Sequence, residues 1–237
     1  MAATARLHTD AALASGAEIP LPEDQAHYLR HVLRQEAGAP VLLFNGRDGE
    51  WRAEIARFGK RDVVLAVQAQ TRPQQAGPDI WLLFAPIRQG RLETIVEKAT
   101  ELGASRIVPV LTRRCQVRQV NAARLLATAR EAAEQCERLD LPEISPLADL
   151  QAALADWPRD RRLYACLERA DAEPLAAQLT SDPCALLVGP EGGFAPEEAA
   201  WLGGLPFVRP AGLGSRILRA ETAAMAGMAL LAAASGR

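Results

Sequence analysis

Cysteine, lysine and histidine are all scarce in this 237-residue chain, and each scarcity narrows the chemistry. The four cysteines, Cys115, Cys136, Cys166 and Cys184, never stand at CxxC spacing, so neither a zinc site nor a dithiol redox pair is suggested. Buried free thiols are the remaining reading. Of the histidines, His27 and His31 share a helical face at i, i+4 spacing but have no third ligand, so no metal is expected. Lysine occurs only as Lys60 and Lys98, so nearly all of the 27 basic side chains are arginine. Arginine's planar fork suits phosphate and base recognition, although genomic base composition produces the same bias. A net charge of −2 excludes a polyanion-coating protein and leaves room for a local basic patch. Long apolar runs are also missing. The stretch from Ala223 to Ala234 is too short and too alanine-rich to span a bilayer, and the start MAATARLHTD lacks the layout of a secretory signal. A cytoplasmic protein without membrane segments is expected.

With 49% hydrophobic and 24% charged residues, the chain has the composition of one or two globular domains. Up to about Thr71 it alternates short β-like runs with turns: Val41 to Phe44, Asn45-Gly46 and Asp48-Gly49, Trp51 to Ile55, then Val63 to Val67. Hairpins closing into a small barrel are predicted, preceded by a helix from about Asp24 to Leu33. Arg72 to Asp79 carries two prolines and a glycine and reads as a linker, which separates a domain over 1–72 from one over 80–237. Beyond it, strands and helices alternate. Strands are read at Ile80 to Ala85, Arg106 to Leu111, Arg162 to Leu167 and Ala185 to Val188. Helices are read at Arg91 to Leu102, about Ala122 to Arg138, Pro174 to Leu179, Pro196 to Leu202 and from about Leu218. That rhythm predicts an α/β domain with a parallel sheet covered on both faces.

Two glycine-bearing segments stand out in the second domain. Gly189-Pro190-Glu191-Gly192-Gly193-Phe194 follows an apolar strand and precedes a helix start at Pro196-Glu197-Glu198. Leu213-Gly214-Ser215-Arg216-Ile217-Leu218-Arg219-Ala220-Glu221-Thr222-Ala223 opens the last helix. Neither is a GxGxxG fingerprint or a P-loop, so pyrophosphate binding has little support. Glycines at the carboxyl ends of strands let main chain approach a ligand closely, and the pair describes a pocket made of backbone.

These segments resemble the cofactor loops of the SPOUT class of methyltransferases, and specifically the family that methylates N3 of a uridine in 16S ribosomal RNA. That family carries a GPEGGF loop and an LGxRILRxETA helix start. The likeness extends to Glu97-Lys98-Ala99-Thr100-Glu101-Leu102-Gly103-Ala104, to Ile107-Val108-Pro109-Val110 and to Glu131-Ala132-Ala133-Glu134-Gln135-Cys136. His27 to Arg34 and Val41 to Gly46 are similar to the family's PUA-like barrel. Several members have Gly-Arg after the Glu-Gln-Cys step, where this chain has Glu137-Arg138-Leu139-Asp140, and the usual Gly-Asp is replaced by Ala39-Pro40.

The resemblance implies a trefoil-knotted parallel-sheet methyltransferase domain with a small N-terminal PUA-like β-barrel. It also implies a homodimer, S-adenosylmethionine as cofactor, and 16S ribosomal RNA in the small ribosomal subunit as partner. Cofactor contacts then fall on Leu167, Gly189, Pro190, Glu191, Gly192, Leu213, Gly214, Ile217 and Leu218, with Thr222 adding a side-chain hydrogen bond. Arg216 or Arg219 is expected to stabilise charge on the uracil oxygens. Arginine stays protonated, so the proton acceptor is sought among Glu191, Glu221 and Glu168. Arg30 and Arg34, beside His27 and His31, form a basic surface for RNA phosphates. A ribose 2′-O methyltransferase and a catalytically silent ribosome-assembly factor are the competing readings.

Overall fold

The computed structural model describes residues 4–59, 62–88, 90–167 and 172–235. The chain divides into two compact units, one of Met1–Ala76 with Ala133–Leu141, the other of Gly77–Ala132 with Pro142–Arg237.

The first unit holds β1 (Ala5–His8), β2 (Glu18–Leu21), α1 (Glu23–His27), β3 (Pro40–Phe44), β4 (Glu50–Phe58) and β5 (Val63–Arg72). Its strands pair in the order β1-β3-β4-β5-β2, parallel at β1–β3 and antiparallel elsewhere. Among the described residues no ladder joins β1 to β2, so the five strands pair along one open path from β1 to β2. Three register shifts between β4 and β5 act as bulges, which bend long strands around the apolar core of Leu7, Leu29, Val41, Leu43, Ile55 and Leu65. The helix read from Asp24 to Leu33 begins at Glu23 and passes after His27 into a π-helical turn over Tyr28–Val32. It stops where Arg34 turns left-handed at φ 52°.

A buried cation anchors the segment 133–141. Arg6 donates through Nε to Glu50 (2.8 Å), through Nη1 to the Ala133 carbonyl (2.8 Å) and through Nη2 to the Arg138 carbonyl (2.6 Å). Its guanidinium also lies 3.9 Å from the centre of the Phe44 ring. The desolvated charge is thereby met by a carboxylate, two carbonyls and a π face.

The second unit holds β6 (Ile80–Phe84), α2 (Arg91–Glu101), β7 (Arg106–Leu111), α3 (Ala122–Gln135, whose last residues belong to the first unit), β8 (Glu143–Ile144), β9 (Ala148–Asp149), α4 (Leu150–Ala153), β10 (Arg162–Cys166), α5 (Leu175–Gln178), β11 (Cys184–Val188), α6 (Pro196–Gly203), β12 (Val208–Pro210) and α7 (Ala220–Ala234). The sheet is parallel throughout, in the order β12-β10-β11-β6-β7-β8, with β9 also on β7. Alternate residues of β11 serve opposite faces. Leu186 and Val188 pack with α2, α3 and α7, while Ala185 and Leu187 pack with α4 and α6. Both faces are therefore covered, as the alternating pattern predicts. Five strands were missed in the sequence: β1 and β2 of the first unit, of four residues each, and β8, β9 and β12 here, of two or three residues, all too short to show a clear period. The last helix starts at Ala220 instead of about Leu218, because Arg219 is still extended (φ −66°, ψ 154°). Among the described residues no helix is long and apolar enough to cross a membrane.

Two backbone positions make direct predictions. Glu137 ends the α3 segment at φ 61°, a left-handed conformation that glycine adopts without cost and that other residues pay roughly 1 kcal/mol to hold. Glu137→Gly should therefore raise the stability of the first unit by about 0.5–1 kcal/mol, read as a higher urea midpoint. In the second unit, a Cβ on Gly227 of α7 would stand 2.5 Å from Leu186 Cδ2, inside the core. Gly227→Val should lower stability by about 1–3 kcal/mol despite valine's better helix propensity; an unchanged midpoint would show that the core yields there.

Candidate active site

At the carboxyl ends of β10, β11 and β12 a cavity of about 260 Å³ opens. Its walls are three loop segments, and the local sequence explains each of them.

All five residues of β11 are buried, and Gly189-Pro190 ends the strand because proline has no N–H to donate. A turn follows in which the Gly193 N–H donates to the Pro190 carbonyl at 2.8 Å, with Gly193 at φ 65°. The turn folds Phe194 inward. A Cβ on Gly189 would lie 2.8 Å from the Phe194 ring, so the inward packing requires glycine at 189. Glu198 then receives the Ala195 N–H at 3.0 Å and the Arg113 N–H at 2.7 Å, which fixes the start of α6. Arg114 donates to the Gly192 carbonyl at 2.9 Å.

After β12 the Ala211 N–H continues the pairing to Ala165 at 2.9 Å. Gly212 bridges to residues 173–175, and a Cβ on it would meet the Ala172 carbonyl at 3.1 Å. Gly214, at φ 108°, turns the chain toward α7. Between Leu213 and Leu218 no backbone N–H finds an acceptor among the described residues. Such a row of free donors at the entrance of a helix suits a ligand rich in acceptor atoms.

The structure places most of the sequence-selected residues together. Leu167, Gly189, Pro190, Leu213, Gly214, Arg216, Ile217 and Leu218 all line the cavity. Glu191 and Gly192 sit in the same turn on its exposed side, outside the lining. Thr222 is also outside and exposed; α7 turns Ala220 and Ala223 to the cavity, and these i, i+3 neighbours share a face that position 222 does not. Arg219 caps α7 and is exposed. Glu168 lies outside the described residues.

Arg91 is the residue that the sequence did not announce. From the first turn of α2 it meets Glu191 at 3.1 Å and Glu221 at 3.6 Å, linking the two glycine segments across the cavity's rim. An arginine one hundred positions before its partner carries no sequence signal. Arg91 thus meets one carboxylate oxygen of each glutamate, and the second oxygen of Glu221, Oε2, is buried without a hydrogen-bond partner among the described residues. In the first unit Arg30 is similarly engaged, donating to the Gly59 carbonyl at 2.7 Å with its guanidinium over Phe58, while Arg34 is exposed. The His27 and His31 rings lie 4.7 Å apart, and no cluster of potential metal ligands occurs among the described residues.

Cys166 ends β10 at the cavity, and burial pushes its thiol up to about 12; burial likewise pushes Cys184 up to about 11. Both stay protonated at neutral pH and provide no thiolate nucleophile. An unfolded cysteine ionises near pH 8.5, so above about pH 8.5 the folded chain holds protons that the unfolded chain has lost. Stability from these thiols is complete below that pH and falls as pH rises toward about 11 for Cys184 and about 12 for Cys166. Cys184→Ala should flatten the loss of stability between about pH 9 and 11 by up to about 1.4 kcal/mol per pH unit, measured from denaturation midpoints. An unaltered slope would mean that Cys184 ionises as readily folded as unfolded.

Comparison with known proteins agrees with this geometry. A family model described as an RNA methyltransferase domain matches residues 74–232, and one described as an RNA methyltransferase PUA domain matches residues 21–68. The chain is 35% identical to the ribosomal RNA small subunit methyltransferase E of Rickettsia conorii, over 94% of its own length and 93% of the relative's. Among solved structures it is similar to Lpg2936 of Legionella pneumophila, solved in complex with the bound cofactor SAM (30% identity, TM-score 0.89, 98% of each chain). It is also similar to the ribosomal RNA small subunit methyltransferase E of Neisseria gonorrhoeae bound to S-adenosyl methionine (27% identity, TM-score 0.84, 96% of each chain). The chain therefore belongs to the RNA methyltransferase family of the ribosomal RNA small subunit methyltransferases E, an α/β parallel-sheet methyltransferase with a PUA-like N-terminal domain.

Proposed function

We propose that this chain is an S-adenosylmethionine-dependent methyltransferase that acts on N3 of a uridine in 16S ribosomal RNA of the small ribosomal subunit. The observation that carries this reading is the main-chain cradle, whose N–H groups between Leu213 and Leu218 have no acceptor among the described residues and border the cavity. The SAM-bound relatives support the same choice of cofactor.

In this reading Leu167, Gly189, Pro190, Leu213, Gly214, Ile217 and Leu218 hold the cofactor, and Glu191 and Gly192 keep the turn in shape. When bound, S-adenosylmethionine supplies a methyl group already activated on a sulfonium. The chain's own task is to orient N3 of a flipped-out uracil and to remove its proton. Arg216, on the cavity wall, and Arg219, beside it in sequence, stabilise the negative charge that spreads to the uracil oxygens as the proton leaves. Arg91 meets both Glu191 and Glu221, and Glu221 keeps one buried oxygen without a partner among the described residues; Glu221→Gln should accordingly slow single-turnover transfer more than Glu191→Gln.

The same reading includes a trefoil-knotted C-terminal segment and a homodimer that completes the site. Ile217, 72% exposed beside the cavity, is the kind of apolar side chain that a subunit interface covers. Arg34 contributes to the RNA surface of the first unit, with Arg30 supporting it from within, and the protein works in the cytoplasm without a metal.

The test is incubation with unmodified small ribosomal subunits and labelled S-adenosylmethionine, followed by identification of the methylated nucleoside. Recovery of 3-methyluridine is expected; a ribose-methylated nucleoside or no label would refute the reading. Gly189→Ala should weaken cofactor binding about tenfold or more by displacing Phe194. Arg219→Ala should instead slow single-turnover methylation by on the order of a hundredfold while leaving cofactor affinity nearly unchanged. If rate and cofactor affinity fall together, Arg219 serves the cofactor and not the uracil.

A further inference from the structure

A second cavity, of about 340 Å³, lies at the ends of β7 and β9 against α4 and α6. Because β7, β9 and β11 run parallel, it opens on the same carboxyl edge of the sheet as the cofactor cradle. The segment from Thr112 to Arg118 separates the two. On one side Arg114 holds the Gly192 carbonyl, and on the other Thr112, Arg113 and Arg118 face the second cavity together with Asp149, Gln151 and Trp201.

The lining combines the cations Arg113 and Arg118, the carboxylates Asp149 and Glu198, and the aromatic ring of Trp201. Arg118 is exposed and makes no hydrogen bond or ion pair among the described residues. Among the described residues the only carboxylate on the Arg113 guanidinium is Glu197, at 3.3 Å in an exposed pair that holds little energy. These two cations suit a phosphodiester. Trp201 is half-buried, packs against the core and lines the cavity, which gives the cavity an aromatic wall. Asp149 starts α4 without capping it through its side chain, and its carboxylate is left to accept from a hydroxyl or a base N–H. Thr112 is 4% exposed, and its hydroxyl has no partner among the described residues, which is costly for a buried polar group unless a ligand or a water completes it. A simple anion would not call for Asp149, and an apolar ligand would not call for the arginines.

We propose that this second cavity is a ribonucleotide subsite, which holds a nucleotide of the substrate RNA other than the methylated one. The proposal rests on the RNA methyltransferase reading and deepens it. The uracil beside Arg216 and the nucleotide in the subsite then belong to one strand running along the carboxyl edge, past Arg114.

Binding of small ribosomal subunits is measured by filter retention across a salt series for the unsubstituted chain, Arg118→Ala, Arg118→Glu and Gln151→Ala, with cofactor affinity as the check on folding. Loss of one phosphate contact should weaken subunit binding about tenfold for Arg118→Ala and reduce the salt slope by about one, with cofactor affinity unchanged. In multiple turnover the apparent KM for subunits should rise with little change in kcat. Unchanged affinity and slope in both Arg118 variants would overturn the proposal. So would a shift in oligomeric state in those variants, since the cavity would then belong to a contact between copies of the chain. If the unsubstituted chain binds subunits but transfers no methyl group, the catalytic reading fails while the salt slopes still decide the subsite. If it binds no RNA at all, both fall.

Discussion

The close approach of α7 to β11 is the constraint on which the candidate site depends. At Gly227 the helix backbone lies so near Leu186 that a Cβ would stand 2.5 Å from the Leu186 Cδ2 methyl. The helix start at Ala220 is thereby brought beside Val188 and Gly189, and two glycine segments some twenty residues apart become walls of one cavity. The row of unpaired N–H groups before Ala220 follows from the same geometry. A chain that must rise steeply into a helix at Gly214 cannot keep its donors in a strand ladder.

Ionic contacts refine what packing sets up. Arg91 reaches both Glu191 and Glu221, and Arg114 and Glu198 brace the turn from its outer side. Each exposed pair is worth little by itself, but all of them act on the segment whose position determines the shape of the cavity. The first unit relies instead on a buried charge, with Arg6 satisfied by Glu50, two carbonyls and the Phe44 ring. That network holds the segment after α3 in place, including Glu137 in its left-handed conformation.

Much of the second unit was legible because parallel strands buried on both faces write continuous apolar runs such as Cys184–Val188, and because amphipathic helices such as α2 write a 3.6-residue period. The glycine pair was legible for a chemical reason: φ values of 65° at Gly193 and 108° at Gly214, and the tight contact at Gly189, admit few other residues. Strands of two or three residues leave no period to read. The ladder order of the first unit was not legible either, because pairing β1 with β3 and β2 with β5 depends on contacts between distant segments.

By itself the sequence determined which residues are glycine, which runs are apolar and where strands and helices alternate, because these depend on local backbone sterics and on the periodicity of burial. Only the tertiary structure decided which of the chosen residues share a cavity. It turned Thr222 away because helical geometry gives that face to Ala220 and Ala223, engaged Arg30 within its own unit, and supplied Arg91 and the second cavity. Those outcomes arise from side chains meeting across long stretches of chain, and a one-dimensional pattern carries no record of such meetings.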